Sequence, residues 1–212
     1  RYFVLSTDRA IDRNRPCFLC FSGQEAGIMS YYIFILFHFS TISQWRNTGI
    51  RRLRTMNYKT VEINENRSEK IHYPENGFPV IRMQNALDDF FNGEIGYHWH
   101  SEFQFGLLLK GELDYCVFRN PISKLHRSLQ AGDGFFINSK VLHGYRQTKT
   151  GSEIFLFGIP VSFFSSLSFG NAYQKIVLPI LHSSVFGAFF PAKEEKNFPI
   201  LRLFREFHTL DA

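Results

Sequence analysis

The chain has 212 residues, of which 44% are hydrophobic and 20% charged, a composition that excludes a disordered protein. Its three Cys do not imply the disulfide framework of a small secreted protein. The formal net charge of +5 suggests a nucleic-acid partner, but all of the excess lies in residues 1–55, which hold eight Arg, no Lys and three acidic residues. Residues 56–212 carry 16 residues of each sign. The net charge therefore does not describe one basic, nucleic-acid-binding domain.

Residues 1–55 form an Arg-rich, apolar leader, which we expect to be non-native or poorly ordered. The break in charge at Met56 indicates that native translation begins there, with Met29 as the second choice. The alternative is a membrane segment, because residues 26–45 carry no charge and twenty residues can span a bilayer. Six of these residues are Ser, Thr, His or Gln, which weakens the alternative. We therefore favour a protein without a membrane segment.

Residues 56–160 are predicted to form an antiparallel β-barrel. Between residues 96 and 159 lie four runs rich in Phe, Leu, Ile, Val and Tyr, which are FQFGLLLKG, ELDYCVFRN, GDGFFINSKVLHGY and SEIFLFGIP. Turn residues separate them at intervals of about ten residues, a spacing that is typical of antiparallel sandwiches and barrels. Residues 59–86 are expected to supply an extended arm and the first strands, because Pro74, Gly77 and Pro79 interrupt them. The predicted fold class is thus mainly β.

Residues 161–212 are predicted to be a helical segment that follows the barrel. Its clearest helix is NFPILRLFREFHTL, in which Asn197 can cap the N-terminus and Pro199 suits the first turn. Apolar residues recur there at three- and four-residue spacing and form one stripe, which comprises Ile200, Leu203, Phe204, Phe207 and Leu210. The stripe either covers its own barrel or meets the same helix of a second chain. In the second case the dimer interface would comprise Leu203, Phe204, Phe207 and Leu210.

The most informative stretch begins at residue 96 with GYHWHSEFQ. His98 and His100 are two residues apart on a predicted strand, so their side chains point to the same face. The same parity puts Glu102 and Gln104 on that face, and His143 follows 39 residues after Gln104. If the strands close into a barrel, these side chains converge inside it. Such a group suits a divalent metal ion, or a small polar ligand that needs several hydrogen bonds in an apolar cavity.

The order of these residues resembles the first motif of the cupin barrel, which is a Gly, five residues, H-x-H, three or four residues, Glu, six residues and Gly. His98, His100, the position of Gln104 and Gly111 fit this spacing from the first His onward. Gln104 stands where catalytic cupins have a carboxylate ligand. Because a neutral amide oxygen binds a divalent ion less strongly than a carboxylate does, we expect a binding pocket rather than a catalytic metal centre.

The second cupin motif is a Gly, five residues, P-x-G, two residues and His. Gly132 and His143 fit it, and Asn138 and Lys140 stand where the Pro and the second Gly would be. Within cupins, the phrases HWHSEFQFGLLLKGELDY and LQAGDGFFINSKVLHGYR are similar to the N-terminal sensor domain of AraC-type (AraC/XylS-like) transcription regulators. This resemblance extends over residues 60–210 and includes the later KIVLPIL and the closing helix.

The resemblance implies a cytoplasmic domain of a bacterial transcription regulator with a jelly-roll fold, also called a double-stranded β-helix. It implies that a small-molecule effector binds in the barrel, and the candidate ligand-binding residues are His98, His100, Gln104, His143 and Glu102. The domain would form a homodimer. It would bind DNA only through a C-terminal helix-turn-helix domain, which we expect to be absent from this chain. No catalytic residue and no cofactor are expected.

The alternative is a metal-dependent cupin enzyme, such as an isomerase or a dioxygenase. The metal ligands would then be His98, His100 and His143. Glu102 is two residues early for the carboxylate position, so it would join them only after a local shift of the backbone. Gln104 at the carboxylate position therefore favours the regulator over the enzyme.

Overall fold

The computed structural model describes residues 58–73, 79–120, 122–166 and 173–210. The leader at residues 1–55, the candidate membrane segment within it and Met56 lie outside the described residues. Among the residues that are described, no helix is long and apolar enough to cross a membrane.

β-Strands are the most common regular element of the described chain, as expected from its short runs of aromatic and β-branched residues. In chain order the strands are β1 (Ile81–Ala86), β2 (Glu94–His98), β3 (Glu102–Lys110), β4 (Glu112–Phe118), β5 (Lys124–Gln130), β6 (Gly134–Ile137), β7 (His143–Gln147), β8 (Glu153–Pro160) and β9 (Gly187–Phe190). Short 3₁₀ turns at Leu87–Asp89 and Phe91–Gly93 join β1 to β2.

The strands pair into two antiparallel sheets. One has the strand order β1-β8-β3-β6-β9 and the other the order β2-β7-β4-β5, so that most neighbours in space are remote in sequence. Residues of both sheets share one core, which includes Leu108, Leu113, Tyr115, Phe135 and Leu156. The predicted fold, mainly β with an antiparallel barrel followed by helices, is confirmed.

The five-stranded sheet is buried on both faces. Phe105, Phe136 and Phe157 belong to a second core on the face away from the four-stranded sheet, together with residues of the C-terminal helices. Burial on both faces explains why β3 and β8 are almost continuously apolar rather than alternating. The four-stranded sheet differs, because in its edge strand β5 only Leu129 is fully buried.

Three α-helices follow β8 in the described chain. They are α1 (Val161–Ser166), α2 (Leu178–His182), which a π-helical turn at Tyr173–Val177 precedes, and α3 (Phe198–Thr209). Strand β9 lies between α2 and α3 and pairs with β6, which the expectation of a helical segment over residues 161–212 did not include. A Cβ at Gly187 would lie 2.5 Å from the carbonyl oxygen of Phe136, so this glycine permits the close approach of β9 to the sheet.

Helix α3 packs its apolar stripe on the five-stranded sheet of its own chain. Leu203 and Phe204 are buried there, Phe207 is half-buried, and the Phe204 ring centroid lies 5.4 Å from that of Phe157. The structure therefore corrects the expected dimer interface for Leu203 and Phe204, because their own barrel already covers them. Leu210 lies at the exposed end of the stripe.

Asn197 precedes α3, as predicted, but its side chain does not cap the helix. Its Nδ2 instead donates a hydrogen bond of 2.9 Å to the carbonyl oxygen of Pro191, in the segment that leads out of β9. Pro199 occupies the first turn of the helix, as predicted.

Lys140 stands where the cupin motif has its second Gly, and its φ of 60° lies in the left-handed region. A residue with a Cβ costs about 1–2 kcal/mol there, whereas Gly costs about 0.5–1 kcal/mol in backbone entropy. We therefore expect Lys140→Gly to raise the free energy of unfolding by about 0.5–1 kcal/mol, measured by urea denaturation. Lys140→Ala keeps the Cβ and should give no gain. Equal gains from both substitutions would contradict backbone strain as the cause.

The predicted extended arm is present at residues 58–73 and is attached to the barrel near both of its ends. Near its start, the Lys59 amide donates a hydrogen bond of 2.8 Å to Asp89. Near its end, the Trp99 amide donates to the carbonyl oxygen of Arg67, and the Glu69 amide donates to that of Trp99. The indole Nε1 of Trp99 also donates to the carbonyl oxygen of Asn66, at 2.9 Å. The arm therefore runs along the end of the barrel where the two His of the first motif lie.

Candidate functional site

Strand pairing brings the three motif histidines together. His98 is the last residue of β2 and faces His143, the first residue of β7, directly across the sheet. His100 lies in the connection to β3. The ring centroids of His98 and His143 are 4.4 Å apart, and those of His100 and His143 are 5.0 Å apart. One ring nitrogen from each of the three lies within 4.8 Å of the others.

Two of the three histidines have a defined tautomer. Nδ1 of His98 lies 2.8 Å from the carbonyl oxygen of Gly96, and Nδ1 of His143 lies 2.8 Å from that of Val141. A carbonyl oxygen only accepts hydrogen bonds, so Nδ1 carries the proton in both rings and Nε2 holds a lone pair. Nε2 of His143 is buried without a hydrogen-bond partner among the described residues, as are both ring nitrogens of His100.

Glu102 and Gln104 lie beside these rings, on the predicted face of β3. Glu102 Oε1 accepts hydrogen bonds from the hydroxyls of Tyr73 and Ser101, whereas its Oε2 lies 3.5 Å from Nδ1 of His100 and has no hydrogen-bond partner in the described structure. The side-chain oxygen of Gln104 is likewise buried and without a partner there. All five predicted ligand-binding residues are thus buried together, and each is at most 5% exposed.

The arm adds two residues that the sequence did not single out, Glu69 and Tyr73. Glu69 Oε2 lies 3.5 Å from Nε2 of His98, and Tyr73 donates to Glu102. Burial raises the pKa of the Glu69 carboxyl to about 7, and the nearby Glu102 carboxylate contributes to this rise. Neither residue belongs to a cupin motif, and both precede β1. No spacing rule in the sequence therefore connects them with the histidines.

A cavity of about 580 Å³ lies between the arm and the barrel. Of the site residues, His98, Gln104 and Glu69 line this cavity. Its apolar wall includes Ile81, Met83, Phe90, Ile95 and Leu156. Its volume is in the range of pockets that hold small organic molecules. His98, Gln104 and Glu69 therefore face a space that is much larger than a single ion requires.

Burial keeps the three histidines neutral near pH 7. It lowers the pKa of His98, lowers that of His100 to about 4, and lowers that of His143 well below its usual value. Repulsion between protonated imidazoles lowers the pKa of His100 and His143 further. The site thus offers neutral imidazoles, which accept hydrogen bonds and ligate metals.

These low pKa values predict that His100 destabilises the folded state as the pH falls. Between pH 6.5 and 4, the unfolded chain binds a proton at His100 that the folded chain does not, so this residue lowers the free energy of unfolding as the pH falls, by roughly 1 kcal/mol per pH unit. The raised pKa of Glu69 acts in the opposite direction between pH 7 and 4.5. The test therefore compares the pH dependence of the free energy of unfolding between the wild type and a His100 variant, because the contribution of Glu69 is present in both and cancels.

We expect the free energy of unfolding of His100→Leu, measured by urea denaturation, to depend less steeply on pH than that of the wild type. The difference should be about 1 kcal/mol per pH unit between pH 6 and 5. The exposed His126 provides a matched control, and His126→Leu should keep the wild-type dependence. If His100→Leu kept it as well, His100 would not be a buried, neutral imidazole.

The three imidazoles also fit a divalent transition-metal ion, because one ring nitrogen of each lies within 4.8 Å of the others, and the ring nitrogens of His100 and Nε2 of His143 lack hydrogen-bond partners in the described structure. His98, His100 and His143 would hold such an ion, which would supply Lewis-acid chemistry when bound. The expectation that these three would be the ligands of any bound metal stays a prediction.

A family model described as the AraC-like ligand binding domain matches residues 89–208, which is more than half of the chain and includes both cupin motifs. The chain belongs to this family. The predicted resemblance to AraC-type regulators is therefore confirmed. The matched region begins at Asp89, where the arm is first attached to the barrel, and ends in the last turn of α3.

One curated relative of this AraC-like domain is an uncharacterized HTH-type transcriptional regulator of Bacillus subtilis (strain 168) named YdeC. It is 32% identical over 126 residues, which are 59% of this chain and 41% of that protein. The chain thus spans about two fifths of the length of the curated relative that it matches.

Two solved structures that match parts of this AraC-like domain are a cupin and a decarboxylase. An RmlC-like cupin from Shewanella frigidimarina NCIMB 400 is 25% identical, with 38% of this chain and 64% of that chain covered and a TM-score of 0.29. A mutant of the oxalate decarboxylase OxdC from Bacillus subtilis is 18% identical, with 32% of this chain and 18% of that chain covered and a TM-score of 0.30.

Proposed function

We propose that this chain is the effector-sensing domain of a bacterial AraC-type transcription regulator. A small molecule binds in the cavity between arm and barrel, with its polar groups on His98, Gln104 and the residues next to them. Its binding controls a helix-turn-helix DNA-binding domain that lies outside this chain. The protein acts in the cytoplasm and is not an enzyme.

The observation that carries this proposal is the group of buried polar atoms without partners next to His98, and from this group Gln104 lines the cavity. Within the described structure it comprises the ring nitrogens of His100, Nε2 of His143, Oε2 of Glu102 and Oε1 of Gln104. A buried polar atom that lacks a hydrogen bond costs about 1–3 kcal/mol, so a stable domain rarely keeps several of them in one place without a function. A ligand with complementary groups removes this cost when it binds.

The arm is the element that an effector would reposition. Arm residues from Tyr58 to His72 line one side of the cavity, and barrel residues line the other. A ligand that contacts both sides favours the arrangement in which the arm lies on the barrel over one in which the arm is released. The shift in this equilibrium is set by the ratio of the ligand's affinities for the two arrangements. Glu69 is the arm residue nearest to the histidines, at 3.5 Å from His98.

Strand β1 provides a route from the cavity to the C-terminal helix. Ile81 and Met83 line the cavity. Arg82 lies between them in sequence and points to the opposite face. Its Nη2 donates hydrogen bonds of 2.7 and 3.3 Å to the carbonyl oxygens of Phe207 and His208 at the end of α3. A shift of β1 on ligand binding would therefore also move the last turn of α3, from which the chain continues towards its C-terminus.

A thermal-shift screen tests the proposal. Sugars, organic acids, amines and aromatic metabolites are added to the 212-residue chain. A ligand at about 100 times its Kd should add about 2.7 kcal/mol to the stability of the folded state. We expect at least one class of compound to raise the melting temperature. A screen in which no class does so, with a protein that unfolds cooperatively, would contradict effector binding.

The proposal includes a homodimer that presents two DNA-binding domains to one operator. The exposed apolar residues of α3, Phe198 and Leu210, are the candidate contacts, since Leu203 and Phe204 are covered by the barrel. Analytical ultracentrifugation tests this point. A dimer that Leu210→Glu converts to a monomer supports it, and a monomeric wild type at high concentration contradicts it for this domain alone.

A metal-dependent cupin enzyme is the second candidate, and the proximity of His98, His100 and His143 is the observation that favours it. Glu102 lies near enough to His100 to supply a carboxylate. Metal analysis of the purified protein separates the two functions. Stoichiometric iron, manganese, zinc or nickel that is lost in a His98→Ala, His100→Ala variant would favour the enzyme over the sensor.

A further inference from the structure

The cavity between arm and barrel extends along strand β1. Ile81, Met83 and Asn85 all line it, and they alternate with Arg82 and Gln84, which do not. At a rise of about 3.3 Å per residue, the four steps from Ile81 to Asn85 cover about 13 Å. The cavity is therefore long in the direction of this strand.

One end of the cavity lies at the motif histidines. In the strand register Ile81 is opposite Gly158, and Gly158 is opposite Gln104. Gln104 therefore marks the Ile81 end of the row. His98 and Glu69 line the cavity as well, and Nε2 of His98 lies 3.5 Å from Oε2 of Glu69. This end thus offers three polar side chains to a ligand.

Asn85 marks the other end of the row, where it is opposite Ile154 in the strand register. Phe90 also lines the cavity and pairs with Lys59 at the start of the arm. The charge of Lys59 is already balanced by a salt bridge of 2.8 Å with Asp89. The side-chain amide of Asn85, which is uncharged and both donates and accepts hydrogen bonds, is therefore the polar group that the barrel wall offers at this end.

The other polar arm residues of the lining are exposed. Lys70 and His72 lie 3.6 and 3.4 Å from the same carboxylate oxygen of Glu62, so these groups interact with one another at the surface. Tyr58 and Thr60 are exposed as well. These residues therefore form the rim of the cavity and leave its two inner ends to the barrel residues and Glu69.

Between the two ends the barrel wall is mainly apolar. Met83 is opposite Leu156 in the strand register, and both line the cavity together with Ile95. Tyr145, which is opposite Ile95, adds an aromatic ring and a hydroxyl. The volume of about 580 Å³ has room for a small organic molecule that extends from one end to the other. The middle of such a molecule would contact mainly carbon atoms.

From this arrangement we infer that the effector is an elongated, bifunctional molecule, with one hydrogen-bonding group at each end of an apolar body. One group binds among His98, Gln104 and Glu69, and the other is an uncharged group, such as a hydroxyl or an amide, at Asn85. This inference rests on the proposed function of the same cavity and names the chemical class of its ligand. Asn85 thereby becomes a specificity-determining residue, which selects a bifunctional molecule over one that is polar at a single end.

Matched pairs of probes test the inference by isothermal titration with the 212-residue chain. One pair is 1,8-octanediol and 1-octanol, and the other is 4,4′-dihydroxybiphenyl and 4-hydroxybiphenyl. A cavity with polar groups at one end only would favour the more apolar member of each pair, because burial of apolar surface drives its binding. We expect instead that the bifunctional member of at least one pair binds about ten-fold more tightly.

Asn85→Leu should weaken the binding of that bifunctional probe about ten-fold and change the affinity of its singly polar partner by less than about two-fold. Gln84→Leu is the matched control, because Gln84 is an exposed amide of the same strand that does not line the cavity. It should change both affinities by less than about two-fold. The melting temperatures of both variants establish that they are folded.

Equal or tighter binding of the singly polar member in both pairs would overturn the bifunctional ligand while leaving effector sensing intact. An unchanged preference for the bifunctional member in Asn85→Leu would overturn the role of Asn85. If neither bifunctional probe binds, the inference is wrong as well, and the thermal-shift screen then decides the proposed function separately.

Discussion

Phe204→Ala should lower the free energy of unfolding by about 3–5 kcal/mol, the largest loss that we expect from a single substitution in α3. The Phe204 side chain is fully buried, and its ring centroid lies 5.4 Å from that of Phe157 and 5.9 Å from those of Phe105 and Phe190. Its removal leaves a cavity between the helix and the five-stranded sheet, which neighbouring aromatic rings cannot fill without distortion. Urea denaturation followed by circular dichroism measures the loss.

Phe198→Ala on the same helix is the control, because Phe198 is about half exposed. It should cost less than about 1 kcal/mol. If Phe204→Ala cost no more than Phe198→Ala, α3 would not be attached to its own barrel. The apolar stripe would then be free to form the dimer interface that the sequence left open.

Gln104→Met should change stability and ligand binding in opposite directions. The buried oxygen of Gln104 has no hydrogen-bond partner in the described structure, so replacing the amide by a thioether of similar shape removes an unsatisfied group. We expect a gain of about 1–2 kcal/mol in the free energy of unfolding of the unliganded protein. The affinity for the effector found by screening should fall about 10- to 100-fold, because the ligand loses a polar contact in a buried site.

Gln130→Met is the matched control, since Gln130 is an exposed residue of β5, remote from the cavity. It should change neither the stability nor the affinity by a measurable amount. A loss of stability in Gln104→Met would show that Gln104 has a structural role. Unchanged affinity would remove Gln104 from the binding site.

The barrel could be predicted from the sequence because its strands carry strong local signals. Turn residues separate apolar runs at regular intervals, and the runs in β3 and β8 are apolar enough to be buried on both faces. Strand β9 was missed because it has only four residues and lies among short helices. Its pairing with β6 depends on the tertiary contact at Gly187, which no local pattern encodes.

The histidine cluster could be predicted because the fold family fixes the spacing of His98, His100 and His143. The parity of a strand was then enough to add Glu102 and Gln104. Glu69 and Tyr73 could not be predicted, because the arm reaches the site by pairing with Trp99 rather than through a regular strand. The choice between the two roles of the α3 stripe also required the structure, since an amphipathic pattern does not specify its partner.

A crystal structure of the domain with the best compound from the screen shows directly whether the cavity between arm and barrel binds the effector. We expect the compound in the cavity between arm and barrel, with a polar atom about 2.7–3.2 Å from Nε2 of His98 or from the side chain of Gln104. Density for the compound on the outer surface or among the C-terminal helices, with the cavity unchanged, would contradict it.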